Sequence, residues 1–325
     1  MPAPNKTYYF DENGRWSGGG NAFLNNARHA AERHPIFSAS ADSLPIIPRN
    51  FPSNLKLLST DFVLAPQNAW PWDLRTRATS ETPKLLKLRA ATEVATRRAS
   101  AILRISSTIP RYSPKGSPVF HNVLDTGFEA AALEALSIPV EPAAGRIVSI
   151  GHHFSYKNVR MLARAYRLYR QGGGNLGLLL IGAKTCKKIS AAIEAELQGL
   201  PDVALITDNL TRAECLAAMQ QASVVVLPSL VEASPFTALE AVWSNPNTIM
   251  SSIVGHREIF SFTTTTNPEI YFEANSAGEL CQRLWSATNS PTEDWHNRLR
   301  DAPYREELRL EWGDNIAEWL SSLEN

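Results

Sequence analysis

The chain has 325 residues, 44% hydrophobic and 20% charged, a composition that excludes disordered and collagen-like classes. Its length exceeds the roughly 250–300 residues at which a single core stops growing, so two domains are expected. Lys/Arg and Asp/Glu balance overall, yet residues 1–125 carry 16 against 9, a balance of +7, and residues 126–325 carry 16 against 23, a balance of −7. A basic first half suits an anionic partner, although scattered surface charge gives the same count.

The first residues, Met1 to Lys6, contain no apolar signal core, and no apolar run approaches the roughly 20 residues that span a bilayer. Lys6–Phe10 reads as a first strand. Gly18–Gly20 follows, then a helix from Asn21 to His34. Residues 35–60, rich in Pro and Ser, are expected to hold a reduced strand and loops. Phe62–Ala65 reads as a buried strand running into a segment with Gln67, Asn68, Trp70 and Trp72. A helix over Lys84–Ser100 and strands over Ala101–Ile105 and Val119–Val123 complete the first half. Ser137–Gly145, with two prolines, is the expected linker.

The second half is more regular. Strands are expected at Arg146–Ile150, Gly177–Ile181, Ala204–Thr207, Ser223–Leu227, Thr248–Ser252 and Ile270–Glu273. Between them, Val159–Arg170 places Val159, Leu162, Ala163, Tyr166 and Tyr169 on one helical face. Lys188–Leu200 repeats the pattern with Ile189, Ile193 and Leu197, and Thr211 with Glu214 forms a capping-box signature. Nearly all-apolar strands alternating with helices predict a parallel, doubly wound sheet covered on both faces, with its ligand beyond the carboxyl ends of the strands. The last stretch is an amphipathic helix with Trp312, Ile316, Trp319, Leu320 and Leu323 on one face.

Several motifs fall short of a chemistry. Gly177–Thr185 misses the P-loop pattern because Ala183 separates Gly182 from Lys184. Gly18–Gly20 lacks the third glycine of a dinucleotide fingerprint, since Phe23 stands there. It does open a helix, where bare N–H groups can take a phosphate. Cys186, Cys215 and Cys281 lie far apart and read as reduced thiols of a cytoplasmic protein. No Asp-x-Asp pair offers a divalent metal site.

Val224–Glu240 carries the functional argument. A strand ends near Pro228, Glu232 follows in the loop, Pro235 opens the next helix, and Glu240 lies one turn along it. The first helical N–H groups, of Phe236 and Thr237, suit a phosphate. The two carboxylates suit sugar hydroxyls, which they accept strongly. Taken alone, the same spacing fits a solvated loop residue and an ordinary helix residue.

The segment resembles the Glu-x7-Glu signature of family-4 retaining glycosyltransferases, which have the two-domain GT-B fold. Arg146–Asn158 is similar to that family's strand-loop ending in Lys-Asn or Lys-Gly. Ala222–Ser229 is similar to its "ADVxVxPS" run, Val254–Glu258 to its "GGxxE" loop and Val119–Asp125 to its "IPNGVD" stretch. Together these matches span most of residues 100–265.

The resemblance implies an α/β GT-B protein: two Rossmann-like, doubly wound domains facing a central cleft. Residues 1–141 would bind acceptor and 142–304 the nucleotide sugar, with a helix over 305–325 returning to the first domain. It gives Lys157 the departing diphosphate, Glu232 the donor sugar hydroxyls and Glu240 the ribose hydroxyls. Phe236 and Thr237 would offer backbone N–H groups, with Ser234, His152 and Gly255 on the same donor side. Gly19 and Gly20 would close on the diphosphate from the first domain, where Gln67, Asn68, Trp70 and Trp72 are acceptor-side candidates. Two positions depart from the pattern. Val123 replaces the glycine of "NGVD", and His152 replaces an arginine, so His152, His153 or an arginine elsewhere would carry that charge.

The implied reaction is retaining transfer of a hexose from a nucleoside-diphosphate sugar to a glycan, lipid-linked or natural-product acceptor, with neither metal nor cofactor and no nucleic-acid partner. Nucleotide-sugar binding with degraded catalysis, or another nucleotide-dependent Rossmann enzyme, stays open. Lys84–Arg104 has six basic residues and one acid, Glu93. That fits peripheral association with the anionic inner face of a membrane, and equally a solvated helix face.

Overall fold

The structure, a computed structural model, describes residues 6–12, 19–38, 40, 42–48, 60–67, 82–109, 118–140, 143, 145–208, 210–260, 268–287 and 292–323. The first domain contains β1 (Tyr8–Phe10), α1 (Gly19–Ala31), β2 (Leu44–Ile47), β3 (Val63–Leu64), α2 (Thr82–Arg98) and β4 (Ala101–Ile102). These strands form a parallel sheet in the order β1-β2-β3-β4. Alternating side chains divide between its faces. Ile46 and Val63 pack with Phe23 and Ala27 of α1, whereas Ile47 and Leu64 pack with Ala95 of α2. The strand expected over Val119–Val123 shrinks to a single parallel bridge between Arg104 and Val119.

Beyond it come α3 (Thr126–Ala135), β5 (Arg146–Ile150), α4 (Val159–Gln171), β6 (Gly177–Ile181), α5 (Lys187–Leu197), β7 (Val203–Ile206), α6 (Arg212–Gln221), β8 (Val224–Leu227) and α7 (Phe236–Ser244). The chain continues through β9 (Thr248–Ser251), α8 (Val254–Glu258), β10 (Tyr271–Phe272), α9 (Ala277–Ser286), α10 (Glu293–Arg300) and α11 (Ala302–Ser322). The six strands of this domain pair in parallel, in the order β10-β9-β8-β5-β6-β7. Ile147, Leu178, Leu180, Val224, Val226 and Ile249 point to α4, α5 and α9. Val148, Leu179, Ile181, Val225, Leu227 and Met250 point the other way, to α3, α6 and α7. Burial on both faces is the reason these strands read as continuous apolar runs. The expected capping box is present, with Thr211 Oγ1 accepting from Glu214 N at 3.2 Å and Glu214 Oε2 accepting from Thr211 N at 2.7 Å.

One element sits where the sequence did not place it. Helix α3, capped by Asp125, buries Phe128, Ala132 and Ala135 in the core of the second domain, together with Leu124 just before the cap. The core of the second domain thus includes residues from Leu124 onward, ahead of the expected boundary at 141.

Helix α11 returns to the first domain, as expected. Trp312, Ile316, Trp319 and Leu320 join that domain's core, with the Trp312 ring 5.4 Å from Phe23 and the Trp319 ring 5.6 Å from Phe120. Arg305 grips Glu129 of α3 through two bonds of 2.9 and 2.6 Å, which ties the same helix to the second domain. Among the described residues, no helix is long and apolar enough to cross a membrane. The crossing of α11 over α1 depends on Gly313, where an added Cβ would lie 3.0 Å from Ala30 Cβ. Gly313→Leu should therefore cost about 1–3 kcal/mol through overpacking, read as a lower urea midpoint; an unchanged midpoint would contradict this account of the crossing.

Candidate functional site

Strand β5 pairs with β6 on one side and β8 on the other, so the winding of the sheet reverses between β5 and β8. The loops leaving the carboxyl ends of these two strands part there and open a crevice, the usual ligand position in such sheets. A narrow pocket occupies it, lined by Gly151 and Lys157 from the first loop, Ser229 and Glu232 from the second, Thr237 and Ala238 of α7, and His256 of α8.

Lys157 reaches the pocket from a single 3-10 turn, Ser155–Lys157. The next residue, Asn158, has φ 56° and ψ 25°, the left-handed region that Asn and Gly tolerate best. The Asn158 amide donates to Pro228 O at 3.1 Å and Ala274 O at 2.7 Å, and Leu230 N donates to Tyr156 O at 2.7 Å. The two loops are thus locked together.

Lys157 Nζ lies 2.6 Å from Glu232 Oε1, which also accepts from Ser229 Oγ at 2.8 Å. Burial opposes the ammonium charge, but Glu232 and Tyr156 together outweigh it and the Lys157 pKa is raised. Lys157 is the one lysine or arginine among the described lining residues. The N-terminus of α7 meets it, with Pro235 at the cap position and no side-chain cap among the described residues. The first N–H groups of this helix, those of Phe236 and Thr237, carry the positive end of its dipole. The Phe236 side chain points away, into the first domain's core together with Val231 and Ala233.

Glu240 lies beyond the pocket, on the α6 side of α7. Arg212 Nε donates to its Oε1 at 2.7 Å. Burial pushes the Glu240 carboxyl above its usual range, against the pull of Arg212.

Other expected residues take different tasks. Ser234 is buried, its Oγ accepting from Asn122 N and its carbonyl oxygen from Asn122 Nδ2, both at 2.8 Å. Gly255 packs so tightly that a Cβ would come 2.4 Å from Glu232 O and 2.7 Å from Ala233 O. Both hold the Glu232 loop in place, and neither lines the pocket. His152 is exposed, and its Nδ1 accepts from Ala183 N at 3.1 Å. Burial of part of its ring and the nearby Lys157 lower its pKa. His153 is buried with Nδ1 2.9 Å from Ser190 Oγ, away from the pocket. Gly19 and Gly20 begin α1. Gln67 follows β3, its Nε2 donating back to Ala65 O at 3.1 Å. Asn68, Trp70 and Trp72 lie outside the described residues.

Two residues went unnoticed in the sequence. Ser229 stood inside a motif without a role. His256 is 1% exposed, with Nδ1 2.9 Å from Ser251 O. A carbonyl accepts only, so Nδ1 carries the hydrogen and Nε2 keeps a lone pair.

Two parallel-stranded Rossmann-like domains, a ligand crevice at the switch point and a last helix crossing back define the GT-B architecture. Within it, residues 144–288 match the family described as Glycosyl transferases group 1. The whole chain is similar in structure to a UDP-forming α,α-trehalose-phosphate synthase from Burkholderia xenovorans, with 16% identity and a TM-score of 0.60 over 94% of this chain and 77% of that one. The corresponding synthase from Burkholderia vietnamiensis gives 14% identity and a TM-score of 0.63 over 93% and 74%. An E. coli trehalose-6-phosphate structure bound with UDP-2-fluoro glucose gives 12% and 0.59 over 93% and 76%. No curated protein matches the chain.

Burial lowers the His256 pKa to about 4, against a partial opposing effect of Glu232. The unfolded chain binds this proton near the ordinary value of about 6.5, and the folded chain resists it. Stability should therefore fall as pH drops from about 6.5 toward 4, and His256→Asn should flatten that slope in urea titrations. An equal slope in the variant would show that His256 is not the group responsible.

Proposed function

We propose that this protein is a retaining glycosyltransferase of the Glu-x7-Glu type, moving a hexose from a nucleoside-diphosphate sugar without a metal. The observation that carries the reading is the convergence at one switch point of Lys157, Glu232 and the uncapped start of α7. A cation and helix N–H groups suit a diphosphate, and a carboxylate beside them suits sugar hydroxyls. The match of residues 144–288 to Glycosyl transferases group 1 supports it.

In this mechanism the bond between the anomeric carbon and the β-phosphate oxygen breaks as the acceptor oxygen bonds to the same carbon from the same face. The acceptor's proton passes to the departing phosphate oxygen. Lys157 and the N–H groups of Phe236 and Thr237 stabilise the charge that grows on the diphosphate, and Glu232 orients the donor sugar. Such fixed electrostatic stabilisation is worth a few kcal/mol. Lys157→Ala and Glu240→Ala should each lower turnover about 100-fold or more with unchanged circular dichroism. Near-normal activity in both would sink the assignment.

The donor is screened with UDP, GDP, dTDP and ADP and their sugars by thermal shift. A ligand at about 100 times its dissociation constant adds about 2.7 kcal/mol, which gives a readable rise in melting temperature. UDP and its sugars come first, because similar structures include a UDP-forming enzyme. A second reading, binding without efficient turnover, draws on the single lysine among the described lining residues and on His152, whose pKa is lowered, standing where the family has an arginine. It predicts a thermal shift with no donor consumed in the presence of any acceptor.

The acceptor is proposed to be anionic, from the +7 balance of residues 1–125. A sugar phosphate and a lipid phosphate share that chemistry. Transfer to glucose 6-phosphate would identify the first source, and co-sedimentation with anionic vesicles at low salt the second. Neither result being seen would remove the anionic-acceptor reading.

A further inference from the structure

Glu240, the carboxylate assigned above to the ribose, is not an isolated acceptor. Arg212 places both Nε and Nη2 on a single oxygen, Oε1, at 2.7 Å each. Among the described residues no partner falls on Oε2, and 14% of the Glu240 side chain stays exposed. Nη2 also lies 2.7 Å from Asp125 Oδ2, close ion-pair contacts rather than aligned hydrogen bonds. Asp125 is fully buried and is itself fixed, its Oδ1 accepting from Asn25 Nδ2 at 2.8 Å and Gly127 N at 3.0 Å. The guanidinium stacks over the Phe128 ring with its central carbon 5.3 Å from the centroid. An arginine held on both sides in this way has one available position.

We infer that Arg212 is a positioning residue that sets ribose specificity: it occupies Oε1 of Glu240, holds the carboxylate in one orientation, and leaves Oε2 to accept the hydroxyls of a nucleoside diphosphate. The inference rests on the donor reading given above. Without Arg212, Glu240 is a buried carboxylate with no cation beside it and with Asp125 repelling it. It then protonates or turns, and the ribose loses its acceptor.

The test compares UDP, GDP and ADP with their 2′,3′-dideoxy analogues by calorimetric titration. A hydrogen bond to a charged group predicts that the wild type binds the ribose form about tenfold or more tightly than the dideoxy form. Arg212→Gln should bring that ratio to within about threefold while leaving affinity for the dideoxy form unchanged. A purely structural role would weaken both forms alike and keep the ratio. Should Arg212→Gln fail to fold because Asp125 is left unpaired, the R212Q/D125N double variant removes that buried charge and gives the same readout. An undiminished ratio in either folded variant overturns the inference alone. Absence of binding of all three nucleotides to the wild type overturns the donor reading, and this inference with it.

Discussion

Between β5 and β8 the sheet turns from winding one way to winding the other, and the loops on either side must part. Lys157 rides on one of those loops and Glu232 on the other, 75 residues apart in sequence and 2.6 Å apart in space. The details nearby serve that meeting. The left-handed turn at Asn158 lets the first loop fold sharply. The Asn158 amide and the Tyr156 carbonyl fasten it to the second loop. Ser229 then fixes the oxygen of Glu232 that faces the lysine.

The loop bearing Glu232 is also held from the first domain. Asn122 grips Ser234 twice, and Ser106 Oγ donates to Glu258 Oε2 at 2.8 Å, just past Gly255. Val231, Ala233 and Phe236 bury their side chains in the first domain's core. The geometry of the pocket therefore belongs to both domains, although its lining comes from one. This also gives the Ser234 hydroxyl and the missing Cβ of Gly255 a purpose unrelated to ligand contact.

Two cation–carboxylate pairs stand along the cleft, and their settings differ. Lys157 and Glu232 face the pocket, where a diphosphate would take over the lysine. Arg212 and Glu240 lie off the pocket, with Asp125 behind them and no exposure of its own. Under the proposed donor reading, the first pair would be exchanged for ligand and the second would persist with ligand bound. A point-charge lysine and a forked arginine suit those two demands.

Much of this was legible in the chain itself. Apolar runs with short spacing determined the parallel sheet, Thr211 and Glu214 the start of α6, and the Lys157-Asn158 pair its sharp turn, because strand burial, capping and left-handed backbone are local properties. Helix α3 escaped notice because its alanine-rich sequence carries little periodic contrast, and its cap, Asp125, read as the end of a motif. How Ser234, Gly255 and His152 are packed was not legible, because a family pattern marks positions, not the direction a side chain faces. Nothing in spacing links positions 125, 212 and 240. They meet only when α3, α6 and α7 stack on one face of the sheet, and that stacking is decided by the apolar core those helices bury against it.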